Sequence, residues 1–236
     1  MTTLHRLHAP RIVAILVFLL ALPDAALGHD PIRAMSFNIR YATESDGEHA
    51  WSQRRDLASS VVRFHRPDVV GVQEALIEQL NDLKERLPDY DWVGAGRDDG
   101  KTGGEFSAIL YRPDRLELLD SDTFWLSETP DVPGSKSWDT AITRVVTWAL
   151  FRDRTDGARF YHFNTHFDHI GQEARRQSAM LIVERIANRA EDVPAIVTGD
   201  FNAEPDEPPY AIMTAALRDA RLVSETPPHG PEGTFT

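Results

Sequence analysis

The sequence contains no cysteine among its 236 residues. Disulfide bonds, thiolate nucleophiles and cysteine-ligated zinc sites are therefore excluded. Basic residues are also scarce, with 25 Lys and Arg against 37 Asp and Glu, which gives a formal net charge of −12. Because binding to duplex nucleic acid requires a basic surface, this charge disfavours duplex nucleic acid as a partner. A local cationic pocket for one phosphate is still compatible with it.

Long hydrophobic runs are missing as well. An apolar run of eleven residues, 12–22, is too short to cross a bilayer as a helix. It follows two arginines and precedes the small residues Ala26-Leu-Gly28, a pattern typical of a secretory signal peptide. An uncleaved membrane anchor is the alternative. We predict a signal peptide at 1–28, a single domain at 29–236, a secreted or periplasmic location, and no stable membrane insertion after cleavage.

Apolar segments bounded by turn residues predict β-strands in most of the chain. They cover residues 35–40, 67–72, 105–112, 115–120, 144–151, 160–165 and 193–198. The two segments around Pro113-Asp114 are expected to pair with each other, and 144–151 is expected to pair with 160–165. Residues 121–140 are expected to form a long ordered surface loop.

Helical periodicity appears between these strands. The predicted helices lie in the second part of 47–64, in 76–87, in 171–190 and around 210–217. In the first of them Leu57, Val61 and Phe64 share one apolar face. The alternation of strands and helices, with paired strands in the middle, predicts a layered α/β domain with a mixed sheet.

Polar residues that can carry chemistry recur where the predicted strands end. They are Asn38, Gln73, Glu74, Glu105, the stretch 164–169, Asp200 and Asn202. Ligand sites collect where the strands of an open sheet terminate together. One or two carboxylates with a substrate phosphate are the usual ligands of protein-bound Mg²⁺, and a histidine beside them can serve in acid–base catalysis. The set therefore suits metal-assisted attack of water on a phosphate ester.

Four of these motifs, in this order, resemble the endonuclease/exonuclease/phosphatase superfamily, and in particular its secreted bacterial branch. They are Met35-Ser-Phe-Asn38, Gly71-Val-Gln-Glu74, Asn164-Thr-His166 and Gly199-Asp-Phe-Asn202. The resemblance runs from about residue 32 to the C-terminus. It implies a deoxyribonuclease-I-like fold, which is a four-layer, two-sheet α/β sandwich with mixed, mostly antiparallel sheets. It also implies a phosphodiesterase or phosphatase that depends on Mg²⁺, with Mn²⁺ as the alternative ion.

The resemblance assigns the main roles residue by residue. Glu74 is the expected metal ligand, and Asn38 is its neighbour in the metal and phosphate site. His166 is expected to contact the scissile phosphate, Asp200 to orient or activate the attacking water, and Asn202 to bind the phosphate beside it.

Further residues receive supporting roles. Glu105 resembles the acid that pairs with the catalytic histidine in deoxyribonucleases, and such a pair would favour the imidazolium form of His166. Arg144 is expected to reach a phosphate, and Asp168 and His169 are expected to face the substrate.

The sequence departs from the family pattern near its C-terminal end. The family continues to a Ser-Asp-His motif, whereas the only histidine after Asp200 is His229, in Pro-Pro-His-Gly-Pro. We therefore expect the domain to be C-terminally incomplete, without the last strands and one catalytic histidine. Loss of a general acid or base typically costs about 10²–10⁴ in rate. A catalytically impaired exported protein on a truncated scaffold is therefore an alternative function.

A second alternative is a dinuclear zinc hydrolase. Thr165-His-Phe-Asp-His169 contains the last part of the His-x-His-x-Asp-His pattern of metallo-β-lactamase-like enzymes, but Asn164 stands where the first histidine belongs. For the phosphoester substrate, a small molecule, a nucleotide and a phospholipid head group all stay open, with a small or exposed phosphoester preferred. We expect a monomer.

Overall fold

Two β-sheets of four strands each form the centre of the domain, in a computed structural model that describes residues 31–190 and 192–230. The signal peptide predicted at 1–28 lies outside these residues and stays a prediction, as does the C-terminal incompleteness. No helix within the described residues is long and apolar enough to cross a membrane.

The first sheet contains β1 (Ala34–Asn38), β2 (Val69–Ala75), β3 (Asp91–Val93) and β4 (Phe106–Tyr111), and the second contains β5 (Leu116–Trp125), β6 (Val145–Asp153), β7 (Arg159–His166) and β8 (Ala195–Asp200). Their strand orders are β1-β2-β4-β3 and β5-β6-β7-β8. The β1–β2 and β7–β8 pairs are parallel, and the other pairs are antiparallel.

Helices cover the outer face of each sheet. Those that do so are α1 (Trp51–His65), α2 (Ile77–Arg86), α3 (Gln172–Arg189) and α4 (Pro208–Ala216). The short helix α5 (Ala220–Val223) and a 3₁₀ helix at Glu44–His49 have no buried residue. Apolar residues of α1 and α2 pack on the first sheet, and those of α3 and α4 pack on the second. The predicted four-layer, two-sheet α/β sandwich is therefore confirmed.

A third apolar cluster lies between the two sheets. It joins Val69 and Ile109 of the first sheet to Ala149 and Phe151 of the second. Val70 and Leu110, one position along the same strands, belong to the cluster under α1 and α2. Because successive side chains of a strand point to opposite faces, β2 and β4 are buried on both faces, which explains their nearly continuous apolar sequences.

The expected pairing around Pro113-Asp114 is wrong. β4 lies between β2 and β3, so neither of its edges is left for β5. The turn instead carries the chain from the first sheet to the second. The loop expected at 121–140 is also shorter than predicted, because β5 extends to Trp125.

The apolar face expected for α1 is also wrong. Leu57 and Phe64 are 67% and 83% exposed. The buried face instead carries Trp51 and the smaller residues Ala58, Ser59 and Val62. Small side chains allow the helix to approach the sheet closely, and Ser59 satisfies its hydroxyl by donating to the Arg55 carbonyl within the helix.

Candidate functional site

The carboxyl ends of both parallel strand pairs meet at one end of the sandwich. Asn38 of β1 is the partner of Gln73 on β2, and His166 of β7 is the partner of Asp200 on β8. The Ser36 hydroxyl joins the two sheets there, because it donates to the Gly199 carbonyl at 3.3 Å and accepts from the Gly199 N–H at 3.1 Å. The structure therefore brings the predicted residues of both sheets together.

The Asn38 side chain lies at the centre of this group. Its Nδ2 donates to Glu74 Oε1 at 2.9 Å and to Asp200 Oδ2 at 3.0 Å. Its Oδ1 accepts from the Arg40 N–H, and the other Glu74 oxygen accepts from the Tyr41 N–H. One amide group therefore fixes two carboxylates from different sheets relative to each other.

Glu74 and Asn202 both have left-handed backbone conformations, with φ of 63° and 45°. Such a conformation costs a glutamate about 1–2 kcal/mol, whereas an asparagine adopts it more readily. At Glu74 it coincides with a register shift in the β2–β4 pairing between Val72 and Ala75. Bulges of this kind redirect a side chain, and here the result is a carboxylate aimed at Asn38.

Asn202 is held in its turn by its own neighbours. Its backbone N–H donates to Asp200 Oδ1 at 3.2 Å, and its side-chain Nδ2 donates to the Phe167 carbonyl at 3.0 Å. A side-chain amide carries a second N–H donor. Asn202 can therefore present that donor to a phosphate oxygen beside Asp200.

His166 is only 7% exposed, and its Nε2 lies 3.8 Å from Asp200 Oδ2. Burial, together with the positive charge of Arg144, lowers the pKa of His166 to about 4, against the opposing effect of Asp200 and Glu74. The imidazole is therefore neutral at pH 7. It can donate one N–H bond to a phosphate oxygen without carrying a charge.

The expected Glu105–His166 pair is wrong. Glu105 Oε2 instead accepts from Arg97 Nη1 at 2.7 Å. The Arg97 backbone N–H also donates to the Glu105 carbonyl, so the loop between these residues brings the guanidinium and the carboxylate together. Burial raises the pKa of Glu105, and the Arg97 charge opposes the rise. The expected imidazolium at His166 is also wrong, because burial and the positive charge of Arg144 lower the pKa of that histidine.

Asp168 holds the backbone and does not face a substrate, which corrects its predicted role. The side chain is 1% exposed, and its carboxylate accepts from the backbone N–H groups of Ala141, Ile142, Ile170 and Gly171. Burial favours the neutral acid, but these donors outweigh it and lower the pKa of Asp168 to about 2. Asp168 therefore ties the loop before β6 to the start of α3.

Arg144 and His169 lie beside Asp168. Arg144 Nη2 and His169 Nδ1 are 3.2 Å apart, and Arg144 Nε is 3.7 Å from Asp168 Oδ1. The Arg144 side chain is 4% exposed and lines a cavity together with Glu74 and His166. This position supports a phosphate contact for Arg144. His169 is exposed, and its contact with a substrate stays a prediction.

The donor set fits a magnesium ion better than zinc. Glu74 and Asp200 supply carboxylates, and Mg²⁺ is usually held by one or two carboxylates, waters and substrate phosphate. Within the part of the chain that the structure describes, no group of three or more His, Asp or Glu side chains could hold a metal ion. Dinuclear zinc centres need such a group, and Asp168 is already committed to backbone donors. The zinc alternative therefore has no support among the described residues.

Sequence reasoning missed the residues that hold the loop after β1. Arg54 donates to the carbonyls of Ile39, Arg40 and Tyr41. Gln79, which is fully buried, accepts from the Ala42 N–H and donates to the Arg40 carbonyl. The available signal was a polar residue beside the leucine stripe of α2.

A buried polar network connects the two sheets directly behind the site. Asn164 Nδ2 donates to the Val72 and Ala108 carbonyls, and its Oδ1 accepts from Gln73 Nε2 at 2.6 Å and from the Thr198 hydroxyl at 3.0 Å. Gln73 precedes Glu74, while Asn164 and Thr198 each lie two positions before His166 and Asp200. The network therefore fixes the strands that present the site.

His162 ends this network. Its Nε2 lies 2.8 Å from the Thr198 hydroxyl, whose proton is committed to Asn164. Nε2 must therefore carry the hydrogen, and Nδ1 is a buried acceptor without a partner among the described residues. The ring is fully buried, and burial lowers the pKa of His162 to about 3. The imidazole therefore stays neutral in the folded protein.

His162 should make the protein less stable in mild acid. Below about pH 6.5 this histidine binds a proton in the unfolded chain, whereas it stays unprotonated in the folded protein down to about pH 3. The free energy of unfolding should therefore fall by up to about 1.4 kcal/mol per pH unit from this residue alone. Urea denaturation between pH 7.5 and pH 5 measures how the free energy of unfolding changes with pH. This pH dependence should be weaker in His162→Gln. The control is His65→Gln, which removes an exposed imidazole. An equal slope in wild type and His162→Gln would contradict the assignment.

Known proteins of similar sequence share this fold. The family model described as "Endonuclease/Exonuclease/phosphatase family" matches residues 35–236. A solved endonuclease/exonuclease/phosphatase of Bacteroides vulgatus is 47% identical, with a TM-score of 0.77, over 78% of this chain and 70% of that one. A mannosyl-6-phosphatase of Bacteroides thetaiotaomicron is 42% identical, with a TM-score of 0.75, over the same shares.

A more distant relative is the nocturnin of Drosophila melanogaster. It is 27% identical over 213 residues, which are 80% of this chain but 32% of nocturnin. The chain therefore spans about a third of that relative's length.

Together, the two-sheet sandwich, the site at its strand ends and these relatives define a hydrolase that acts on phosphoesters. The chain belongs to the endonuclease/exonuclease/phosphatase family.

Proposed function

We propose that the protein is a Mg²⁺-dependent phosphoesterase that hydrolyses a small phosphoester with an activated water, with Mn²⁺ as the alternative ion. One observation carries the proposal: the Asn38 amide holds Glu74 and Asp200 together from two different sheets, with His166 at 3.8 Å from Asp200. Bound Mg²⁺ would polarise a phosphoryl oxygen and offset its negative charge.

The residues of the chain supply the remaining chemistry. Asp200, whose side chain is 35% exposed, is open enough to meet a water and to accept its proton. Neutral His166 donates an N–H to a non-bridging phosphoryl oxygen, and the Asn202 amide does the same from the turn after β8. Glu74 would hold the metal, with Asn38 fixing the orientation of the carboxylate.

A small phosphoester is favoured over duplex nucleic acid by charge and by similarity. The formal net charge of −12 opposes a polyanionic duplex. The mannosyl-6-phosphatase named above acts, by its name, on a phosphorylated sugar, and it is 42% identical to this chain. Both observations support a small phosphorylated metabolite or sugar as the substrate.

The proposal includes export and a monomeric state. Only the sequence pattern at residues 1–28 supports export. N-terminal sequencing of the exported protein tests the cleavage, and size-exclusion chromatography with light scattering tests the oligomeric state.

Metal removal should strongly lower the activity. Chelation with EDTA should lower the rate of p-nitrophenyl phosphate hydrolysis by about 10²–10³-fold, because the developing charge then loses its main stabiliser. Added Mg²⁺ or Mn²⁺ should restore the rate. Glu74→Gln should need a higher Mg²⁺ concentration and stay slow at saturation, whereas Glu78→Gln, at an exposed position nearby on α2, should behave as wild type. Full activity in EDTA, or an unaffected Glu74→Gln enzyme, would reject the metal site.

A further inference from the structure

A small cavity lies next to the proposed catalytic residues and contains two arginines. Arg97 and Arg144 line it together with Glu74, Glu105 and His166, and its volume is about 10 Å³. A cavity needs about 10–15 Å³ to hold one water molecule. This cavity therefore has room for about one water-sized group, such as a single terminal oxygen of a phosphate.

Both guanidinium groups are buried, and both have unused hydrogen-bonding capacity. The side chains are 14% and 4% exposed for Arg97 and Arg144, and neither Nε atom has a hydrogen-bond partner among the described residues. Carboxylate oxygens of Asp98 and Asp168 lie 3.7 Å from the Nε atoms of Arg97 and Arg144, which is beyond hydrogen-bond distance. A buried charged donor without a partner is costly, so each site calls for an acceptor.

Arg97 is held firmly in place. Its carbonyl accepts from Trp125 Nε1 at 2.6 Å, and its N–H donates to the Glu105 carbonyl at 3.1 Å. The loop that carries it is closed by the Asp99 carboxylate, which accepts from the backbone N–H groups of Lys101 and Gly103. The guanidinium is therefore preorganised, and little entropy is lost when it binds an anion.

The charges of the cavity favour a dianion. If Glu74 is engaged with a metal, Glu105 is the lining carboxylate left to balance two guanidiniums, because Asp168 is occupied by backbone donors and the Asp98 side chain is exposed to solvent. A phosphomonoester carries about −1.5 to −2 charge at pH 7 and three terminal oxygens that accept strongly. A phosphodiester carries a single negative charge and fewer terminal oxygens. Arginine forks match terminal phosphate oxygens in geometry as well as charge.

We propose that Arg97 and Arg144 form a subsite for the terminal phosphoryl group of a phosphomonoester, and that Arg97 makes the enzyme select monoesters over diesters. This inference rests on the proposed function and specifies its substrate class. Glu105 acts as a positioning residue, because its hydrogen bond orients the Arg97 guanidinium toward the cavity.

The test compares two substrates in the full chain, p-nitrophenyl phosphate as the monoester and bis(p-nitrophenyl) phosphate as the diester. Wild type should prefer the monoester in kcat/KM. Arg97→Met should lower kcat/KM for the monoester by about 10- to 100-fold and for the diester by less than about threefold, because a charge-assisted hydrogen bond is lost only with the former. Arg97→Lys should recover part of the difference. The control is Arg152→Met, which removes an exposed arginine on β6 that is paired with Glu117.

Binding of inorganic phosphate, measured by calorimetry, gives a second readout that does not depend on turnover. Arg97→Met should weaken it by about tenfold, and Arg152→Met should leave it unchanged. Equal losses on both substrates, a wild-type preference for the diester, or unchanged phosphate affinity in Arg97→Met would overturn the inference. If Arg97→Met does not fold, the inference is tested by the monoester-to-diester ratio of kcat/KM in wild type and in Arg97→Lys. If no protein hydrolyses either ester but phosphate binding depends on Arg97, the proposed function fails and the anion subsite stands.

Discussion

Replacing Asp200 with asparagine is expected to lower kcat by about 10²–10⁴-fold and to change KM by less than about threefold. Asparagine cannot accept a proton from water. It also disturbs the local hydrogen bonds, because Asp200 accepts from both Asn38 Nδ2 and the Asn202 N–H. An asparagine in its place can accept both bonds only through one oxygen. The loss should therefore fall on the chemical step and not on substrate binding.

Steady-state kinetics on p-nitrophenyl phosphate at saturating Mg²⁺ measures this effect. Asp206→Asn is a matched control, because Asp206 is an exposed aspartate in the turn that follows. Calorimetric binding of inorganic phosphate separates a damaged chemical step from a damaged binding site. A decrease of less than about tenfold would exclude Asp200 as the base that activates water.

The largest loss of stability is expected from Gly71→Ala. A methyl group there would overlap Thr198 Oγ1 and Asn164 Oδ1 and would lie 2.7 Å from Asn164 Cγ. These atoms cannot move aside freely, because Asn164 is bonded to both sheets and Thr198 is bonded to Asn164 and His162. Overpacking, together with broken buried hydrogen bonds, should lower the free energy of unfolding by about 4 kcal/mol or more.

Urea denaturation measures this change as a lower midpoint at constant slope. Gly157→Ala provides the comparison. Gly157 has a φ of 78°, and no atom of the described residues lies within 4 Å of an added Cβ, so its replacement measures backbone strain without overlap. Its cost should be about 1–2 kcal/mol. A Gly71→Ala protein no less stable than Gly157→Ala would show that the two sheets can separate locally without penalty.

The end of the fold that carries the candidate site was predictable because its signals are local. Each strand that presents a polar residue is an apolar segment followed at once by that residue, as at Glu74 and Asp200. Because ligand sites collect where strands terminate together, these residues were expected at one edge. The pairing of strands was less accessible. Pro113-Asp114 has the composition of a hairpin turn, and only the occupation of both β4 edges by β2 and β3 reveals a crossing between sheets.

Side-chain partners were the least predictable feature. Glu105 has Arg97 eight positions away as its partner, whereas similarity suggested His166. Asp168 has the chemistry of a site residue, but its carboxylate is consumed by backbone donors whose positions depend on the folded loop. On α1, apolar character alone misidentified the buried face, because the sheet accepts small residues at close approach and leaves Leu57 and Phe64 in solvent.

The hydrogen bond between Asn38 and Asp200 joins residues that are 162 positions apart, and the Ser36–Gly199 contacts span 163. Closing so long a segment has an entropic cost that only the complete sandwich can offset, and contacts of this kind form slowly. Each sheet can gather local structure before the two meet. The side chains of the candidate site come together only when the two sheets pack against each other. Recovery of enzymatic turnover should therefore mark the end of refolding and not its beginning.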